Sequence, residues 1–295
     1  MDPALIEKAI TPRTRAIIVV HLFGHPADID EIMVVAKKRN LKVIEDCAQA
    51  PGATYQGRHM GTIGDCGIFS FTESKNIMTG EGGMLITNDE EIAHTAQMVR
   101  NHGEVIVESQ GKRTYRPEII GWNYRMTEMQ SAIGLAELAR MDDWNMPTRK
   151  RNGAIVRDAL KGLPQVKYVP VDTEERRNGW YTMAYSLDIE NMTCDIMQFV
   201  QACCEEGAPV WKVFWPQCHT ERAFREHTSF GASGFPFKSS EYTDPKSSDY
   251  SNVDVPNALW HETHTFTCFP FPSYSEDDMH QVANAVVKVI EAYSK

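Results

Sequence analysis

Residues 15–22 are largely apolar and β-branched around the aliphatic run Ala16 to Val20, the pattern of a buried strand. A turn is predicted over residues 24–27. Asp28 stands three residues before Glu31, the spacing of a capping box, and Ile29, Ile32, Met33 and Ala36 recur on one helical face, with Asn40 as the stop. Residues 41–44 read as a second short buried strand ending in the polar pair Glu45-Asp46. Strand, helix, strand in this order predicts a parallel crossover unit. Further strands are expected over residues 66–71 and 83–87, and a helix over 89–100. Thr127-x-x-Gln130 repeats the capping-box spacing and starts a helix towards Trp144, which Pro147 should break. Another helix is expected over residues 149–163.

Beyond Leu163 the pattern changes. Residues 166–171 and 181–189 read as strands, and Thr193 as the cap of a helix ending near Gly207. Residues 231–255, rich in Ser, Gly, Pro and Tyr, read as a long irregular loop of the kind that often lines a site. Ser275 opens a last amphipathic helix with Met279, Val282, Val286, Val289 and Ile290 on one face. The expected organisation is an α/β domain over residues 1–145 followed by a smaller α+β domain over 146–295.

At 295 residues the chain has the length of two ordinary domains. Its 42% apolar and 24% charged residues exclude a disordered or collagen-like chain. Thirty Lys and Arg against forty Asp and Glu give a formal charge of −10, which argues against a broad nucleic-acid footprint but leaves room for one anionic ligand held locally. No apolar run approaches the ~20 residues that span a bilayer, and no basic start leads into an apolar stretch as in a secretory signal. A cytoplasmic protein without a membrane segment is expected. Seven cysteines without Cys-x-x-Cys spacing read as reduced thiols rather than a zinc site.

The informative stretch is residues 44–83. Asp46 and Gln49 follow the end of a predicted strand, where parallel sheets bind their ligands. Ser70, Ser74 and Lys75 follow the next strand, and Gly80-Glu81-Gly82-Gly83 lets a flat ligand approach the backbone. Taken singly, Asp46 is equally a helix cap or surface carboxylate, and Lys75 an ordinary loop lysine. Together they are the parts of a pyridoxal phosphate site: a lysine for the Schiff base, an aspartate for the pyridine nitrogen, and hydroxyl donors for the phosphate. A carboxylate beside that nitrogen favours its protonated form. Other motifs fall short. Leu85 stands where a dinucleotide fingerprint needs its third glycine, no Walker A motif is present, and His261-Glu262-Thr263-His264 is one residue short of a zincin helix. Those two histidines read as ordinary surface or strand residues.

The sequence resembles the DegT/DnrJ/EryC/StrS sugar aminotransferases, pyridoxal-phosphate enzymes of the aspartate aminotransferase fold. The residues carrying the resemblance are Val20-His21-Leu22-Phe23-Gly24, Ile44-Glu45-Asp46-Cys47-Ala48-Gln49-Ala50, Gly64-Asp65, Phe69-Ser70-Phe71, Lys75, Gly80-Glu81-Gly82-Gly83, Asn123-Tyr124-Arg125-Met126 and Gln130-Ser131-Ala132-Ile133-Gly134-Leu135. The resemblance implies a three-layer large domain with a mainly parallel sheet, and a smaller C-terminal domain. It implies that Lys75 carries the cofactor and moves the proton, that Asp46 pairs with the pyridine nitrogen, and that Gln49 meets the phenolic oxygen. Ser70 would bind phosphate, and Ala48 would pack on one ring face. Asn123 would reach a partner subunit's phosphate, which implies a homodimer with shared sites. The implied reaction converts a keto-sugar, nucleotide-linked, or a keto-cyclitol to its amino derivative with glutamate or glutamine as donor, as in polysaccharide or antibiotic biosynthesis. The presence of Lys75 disfavours the histidine-for-lysine sugar dehydratases of the same family.

The departure from the family lies at the start. Family members carry about a hundred further residues, the size of a small domain, before the strand at Arg15. The expectation is therefore a fragment, an alternative start or one half of a split product, with exposed sheet edges and uncovered apolar faces. A second reading follows from this: a non-catalytic binding or regulatory protein, or an inactive remnant, on the same fold. In the second domain Trp211, Trp215, His219, Arg222 and Arg225, interleaved with Phe214 and Phe224, could contact a sugar or its diphosphate, and an ordinary amphipathic helix explains them equally well.

Overall fold

The computed structural model describes residues 1–109, 111–213, 217–240 and 248–295. Two compact units make up the chain. The first comprises Met1–Ile155, Val171–Met183 and Pro270–Met279, and the second Val156–Pro170, Ala184–Phe269 and His280–Lys295.

The first unit opens with helix α1 (Pro3–Ala9), strand β1 (Ala16–Val20), helix α2 (Ile29–Arg39) and strand β2 (Lys42–Asp46). Two short strands follow, β3 (Thr54–Tyr55) and β4 (Arg58–His59), then β5 (Cys66–Ser70) and β6 (Gly83–Ile86). The main sheet has the order β1-β2-β5-β6. Its first three strands are parallel, with Val20 opposite Asp46 and Asp46 opposite Ile68, whereas β6 runs antiparallel with Gly83 opposite Ser70. The carboxyl ends of β1, β2 and β5 and the amino end of β6 therefore share one edge of the sheet. Val19 and Val43 are fully buried, and Ile29, Ile32 and Ala36 of α2 join them in the core. The alternation of side chains along a strand places Glu45 on the same buried face as Val43, and Asp46 on the other. Among the described residues nothing pairs with the outer sides of β1 and β6, and Ile18, Val20, Met84 and Leu85 are exposed.

Asp28 precedes α2 as expected, but its side chain caps nothing. Its carboxylate instead pairs with Arg176 on β10 (Arg176–Arg177), a strand that joins β3 and β4 in a small antiparallel sheet. A guanidinium is a stronger partner than a backbone amide, so the expected capping box does not form. Asn40 ends α2 in the left-handed conformation, φ 51°, which Asn tolerates better than most residues.

After α3 (Glu90–Arg100), a stretch for which the sequence predicts no element forms a hairpin of β7 (Glu104–Ser109) and β8 (Lys112–Pro117). Every residue of β8 is exposed, so no apolar alternation announces it. Helix α4 (Glu128–Ala139) starts at the expected Thr127–Gln130 capping box. Pro147 does not break the following helix. A wide turn over Met141–Asn145 leads into α5 (Met146–Leu160), with the Asn145 and Met146 amides bonded to the Arg140 and Met141 carbonyls. The hydrogen-bond ladder has already widened by one residue when it reaches the proline, whose missing N–H is tolerated in a first turn.

The second unit carries the sheet β12-β13-β11-β9, built from β9 (Val166–Tyr168), β11 (Met183–Leu187), β12 (Val210–Lys212) and β13 (Thr265–Cys268). Its core stacks Tyr185 on Phe266, with Phe199 of α6 (Ile196–Glu205) tilted against the same ring. The cap of α6 is Asp195, in a capping box with Gln198, and not Thr193, whose hydroxyl bonds the Tyr293 carbonyl. Helices α7 (Arg222–Arg225), α8 (Pro256–His264) and α9 (Glu276–Tyr293) complete the chain. His261 and His264 thus lie on a helix and not on a strand. Phe214, Trp215 and residues 241–247 of the expected long loop lie outside the described residues. No described helix is long and apolar enough to cross a membrane.

One glycine fixes the approach of the turn at residues 61–64 to the sheet. A Cβ on Gly67, in the middle of β5, would stand 2.4 Å from the Gly61 carbonyl oxygen, a contact that only displaced backbone could relieve. Gly67→Ala is expected to destabilise the fold by about 1–3 kcal/mol, read as a lower midpoint in a thermal melt. An unchanged midpoint would show that the turn yields freely.

Candidate active site

Five of the six residues singled out in the sequence lie at or just beyond the shared sheet edge. Asp46 is the last residue of β2. Its carbonyl accepts the His21 amide at 3.1 Å, and its Oδ1 accepts the Ala48 amide at 3.0 Å. These bonds pin the strand end and the turn that carries Ala48 and Gln49. The Gln49 Oε1 accepts the Phe23 amide at 2.6 Å, which leaves Nε2 as a donor. Ser70 ends β5 half-buried, its Oγ accepting the Thr72 amide at 3.4 Å. The Lys75 amide donates to the Thr72 carbonyl at 3.0 Å, and its Nζ lies 4.5 Å from the centre of the Tyr181 ring. Lys75 makes no ion pair among the described residues.

No hydrogen bond among the described residues joins Asn123 to these five. It is exposed, and its Oδ1 accepts the Arg125 amide at 3.4 Å. Its segment runs beside an open groove of about 470 Å³ lined by Glu81, Gly82, Gly83, Tyr124, Arg125 and Gln130. The Gln130 side chain donates to the Glu81 carbonyl at 2.8 Å, tying the start of α4 to the glycine turn. Trp211 is exposed on β12 with its ring edge against Phe269, and Arg222 pairs with Glu226.

Behind the edge, on the opposite face of β2, Glu45 is fully buried. Its Oε2 accepts the Gly61 amide at 2.8 Å and faces His21 Nε2 at 3.1 Å, and its Oε1 accepts the amides of Ile63 at 2.7 Å and Gly64 at 2.6 Å. The His21 Nδ1 accepts the Ala27 amide at 3.1 Å, so the ring proton sits on Nε2 and is donated to Glu45. His21, Glu45 and Cys47 bring their ligand-type atoms within 4.8 Å of one another. The imidazole and the carboxylate are committed to hydrogen bonds, however, and burial together with the Glu45 and Asp46 carboxylates holds the Cys47 thiol well above its ordinary pKa. The trio is therefore poorly suited to a metal, which needs thiolate and free lone pairs. It is a stitch between β1, β2 and the turn at residues 61–64.

Burial pushes the Glu45 pKa up, but the His21 bond and the amides of Gly64, Gly61 and Ile63 outweigh it and leave the group below its usual range. A carboxylate whose native pKa is depressed contributes fully above its unfolded pKa and loses that contribution as pH falls through the native one. Glu45→Gln turns one oxygen into a donor facing other donors and is expected to cost about 3 kcal/mol. Urea titrations should show that loss at neutral pH. Acid titrations should show a shallower fall in stability below the ordinary carboxylate range than the parent shows.

The residues fit pyridoxal phosphate. A carboxylate at a strand end, an amide oriented as a donor by Phe23, a hydroxyl at the next strand end and an amine without an ionic partner are the donor set its nitrogen, phenolic oxygen, phosphate and aldehyde require. Sequence reading did not single out Tyr181 beside Lys75. The two stand 106 positions apart, and nothing local marks the tyrosine.

The model of the DegT/DnrJ/EryC1/StrS aminotransferase family matches residues 1–244. GDP-perosamine synthase of Caulobacter vibrioides is 48% identical over 151 residues, which are 51% of this chain and 39% of that protein. A protein of Streptoalloteichus tenebrarius named as a putative L-glutamine:3-amino-2,3-dideoxy-scyllo-inosose aminotransferase is 32% identical over 98% of this chain and 68% of its own length. Among solved structures, the aminotransferase from Psychrobacter cryohalolentis superposes with a TM-score of 0.83 at 29% identity, covering 99% of this chain and 73% of that one. The DesV protein of S. venezuelae, solved with a ketimine intermediate, gives 0.78 at 29% identity, covering 98% of this chain and 68% of that one. The chain thus spans between two fifths and three quarters of the length of these relatives.

Proposed function

Because the chain belongs to the DegT/DnrJ/EryC1/StrS aminotransferase family, we propose that it is a pyridoxal-phosphate-dependent transaminase. It would replace the keto oxygen of a nucleotide-linked sugar, or of a keto-cyclitol, with an amino group taken from glutamate or glutamine. The observation that carries this reading is the gathering of Asp46, Ala48, Gln49, Ser70 and Lys75 at one sheet edge. The names of the relatives, which include a GDP-sugar enzyme and a cyclitol aminotransferase, support the substrate class.

The cofactor, when bound, supplies the electron sink that makes the donor's α-hydrogen acidic. Asp46 would hold the proton on the ring nitrogen by placing a carboxylate beside it. Gln49 Nε2 would donate to the phenolic oxygen, Ser70 Oγ would donate to a phosphate oxygen, and the Ala48 methyl would pack against the ring. Lys75 would be the attachment point, and its free Nζ would act as the base that moves the donor's α-proton.

The active form in this reading is a cytoplasmic homodimer in which Asn123 serves the partner's phosphate. Support comes from the exposed Asn123 and from the apolar residues that surround it. Ile120, Trp122 and Tyr124, and Met129 and Leu135 of α4, are exposed, a concentration that marks an interaction surface more often than open solvent.

The test is chemical. Incubation with pyridoxal phosphate, reduction with borohydride and peptide mass spectrometry should locate one adduct, on Lys75. Adding glutamate or glutamine before reduction should abolish it with the true donor. No adduct, or an adduct on another lysine, overturns the reading.

A further inference from the structure

Arg149 on α5 is 3% exposed, yet it has no carboxylate partner among the described residues. Burial lowers its pKa to about 10. A buried guanidinium without a direct carboxylate partner is costly, even with the charge of Glu137 acting on it from a distance, so its remaining contacts are informative. Its Nε donates to Asn145 Oδ1 at 2.7 Å, and its Nη1 donates to the Trp180 carbonyl at 3.3 Å. Asn145 Nδ2 donates to the Asn76 carbonyl at 2.7 Å, and Asn76 Nδ2 donates to the Gly179 carbonyl at 2.5 Å. Both asparagine side chains are buried. The bonds close a ring that passes through Arg149, Asn145, Asn76 and the backbone of residues 179–180. The Gly179 carbonyl can only accept, which fixes the Asn76 amide orientation and leaves Asn76 Oδ1 buried and unpartnered.

The ring clamps two segments that meet at the Lys75 amine. Asn76 is the next residue after Lys75. Trp180 precedes Tyr181, whose ring faces Lys75 Nζ at 4.5 Å and whose hydroxyl lies 3.4 Å from Ser74 Oγ. Trp180 itself is held at φ 50°, a left-handed conformation that a bulky side chain adopts only when its surroundings impose it. Its buried ring lies where a Cβ on Gly153 would come within 2.5 Å. Asn145 comes from the widened turn before α5, a kind of irregularity found often at functional sites.

We propose that Asn76, Asn145 and Arg149 are positioning residues whose closed hydrogen-bond ring holds Tyr181 against the Lys75 amine, and that Tyr181 is a further residue of the active site. Its ring face holds the lysine nitrogen by a cation–π contact whenever that nitrogen is not bonded to cofactor. The catalytic meaning rests on the pyridoxal phosphate reading, whereas the clamp itself does not.

The test uses the cofactor-free full chain. Reductive methylation of Lys75 is followed by mass spectrometry, with exposed Lys38 as internal standard and circular dichroism melts as the check on folding. Asn145→Ala is expected to raise the Lys75 rate relative to Lys38 by about fivefold, within the coupling range of groups in one network. In a Tyr181→Ala background the same substitution should change it less than about 1.5-fold, because the residue through which the ring acts is gone. Arg149→Lys, whose single ammonium cannot bridge two acceptors as a fork does, should reproduce the rise, and it decides the matter if Asn145→Ala does not fold. A folded variant with an unchanged Lys75 rate, or a rise that persists equally without the Tyr181 ring, overturns the proposal. Failure to trap pyridoxal phosphate on Lys75 would instead sink the proposed function and leave the labelling result standing.

Discussion

Lys75→Ala is expected to lower amino transfer by about 10⁴-fold or more, because in the proposed function it removes both the covalent attachment point and the base that moves the proton. Two readouts separate these roles from a folding defect. The thermal midpoint should change little, since Lys75 is half-buried and makes no ion pair among the described residues. The borohydride-trapped adduct should vanish from the peptide containing position 75. Adding a small primary amine should restore part of the proton transfer without restoring attachment. Unchanged turnover in Lys75→Ala would remove the residue on which the proposed function depends.

Asp46→Asn should reduce turnover by roughly 10²–10³-fold, the range seen when a preorganised electrostatic partner is neutralised. The change is isosteric, and the Oδ1 bond to the Ala48 amide can survive it, so the strand end should keep its shape. In the proposed site the carboxylate charge beside the ring nitrogen would be lost, and with it the proton that makes the ring an effective sink. Pyridoxal phosphate should still be trapped on Lys75 at near-normal yield while the donor half-reaction slows, a split that stopped-flow absorbance measures directly. Loss of trapping together with turnover would mean that Asp46 acts in binding and not in chemistry.

The parts of this molecule legible in the sequence are those whose partners are close in the chain. The crossover unit is visible because β1, α2 and β2 each carry their own periodicity, and Asp46, Gln49, Ser70 and Lys75 stand out because glycines and strand ends surround them. The Thr127–Gln130 box forms as its spacing predicts, since both partners sit within one turn. Asp28 and Glu31 have the same spacing, yet a guanidinium 148 residues away claims Asp28, and no local rule foresees that. The β7–β8 hairpin is hidden because it buries no face. The wide turn before α5 reconciles a proline with a continuing helix by a geometry that composition does not encode. Glu45 reads as one of two adjacent acids, and its four hydrogen-bond donors come from a turn and a histidine that only the folded chain brings to it. The clamp around Tyr181 joins residues from three separate stretches and leaves no trace in any one of them.

The two neighbouring carboxylates of β2 point to opposite faces by the alternation of the strand, Glu45 fastening the scaffold and Asp46 turned towards the proposed cofactor site. A frameshift of the strand by a single position would exchange them, burying the acid that must face the ligand and turning outward the one that fastens the interior. Laboratory evolution of substrate range can therefore trade side chains around this strand, whereas insertions or deletions within it would forfeit structure and reactivity in one step.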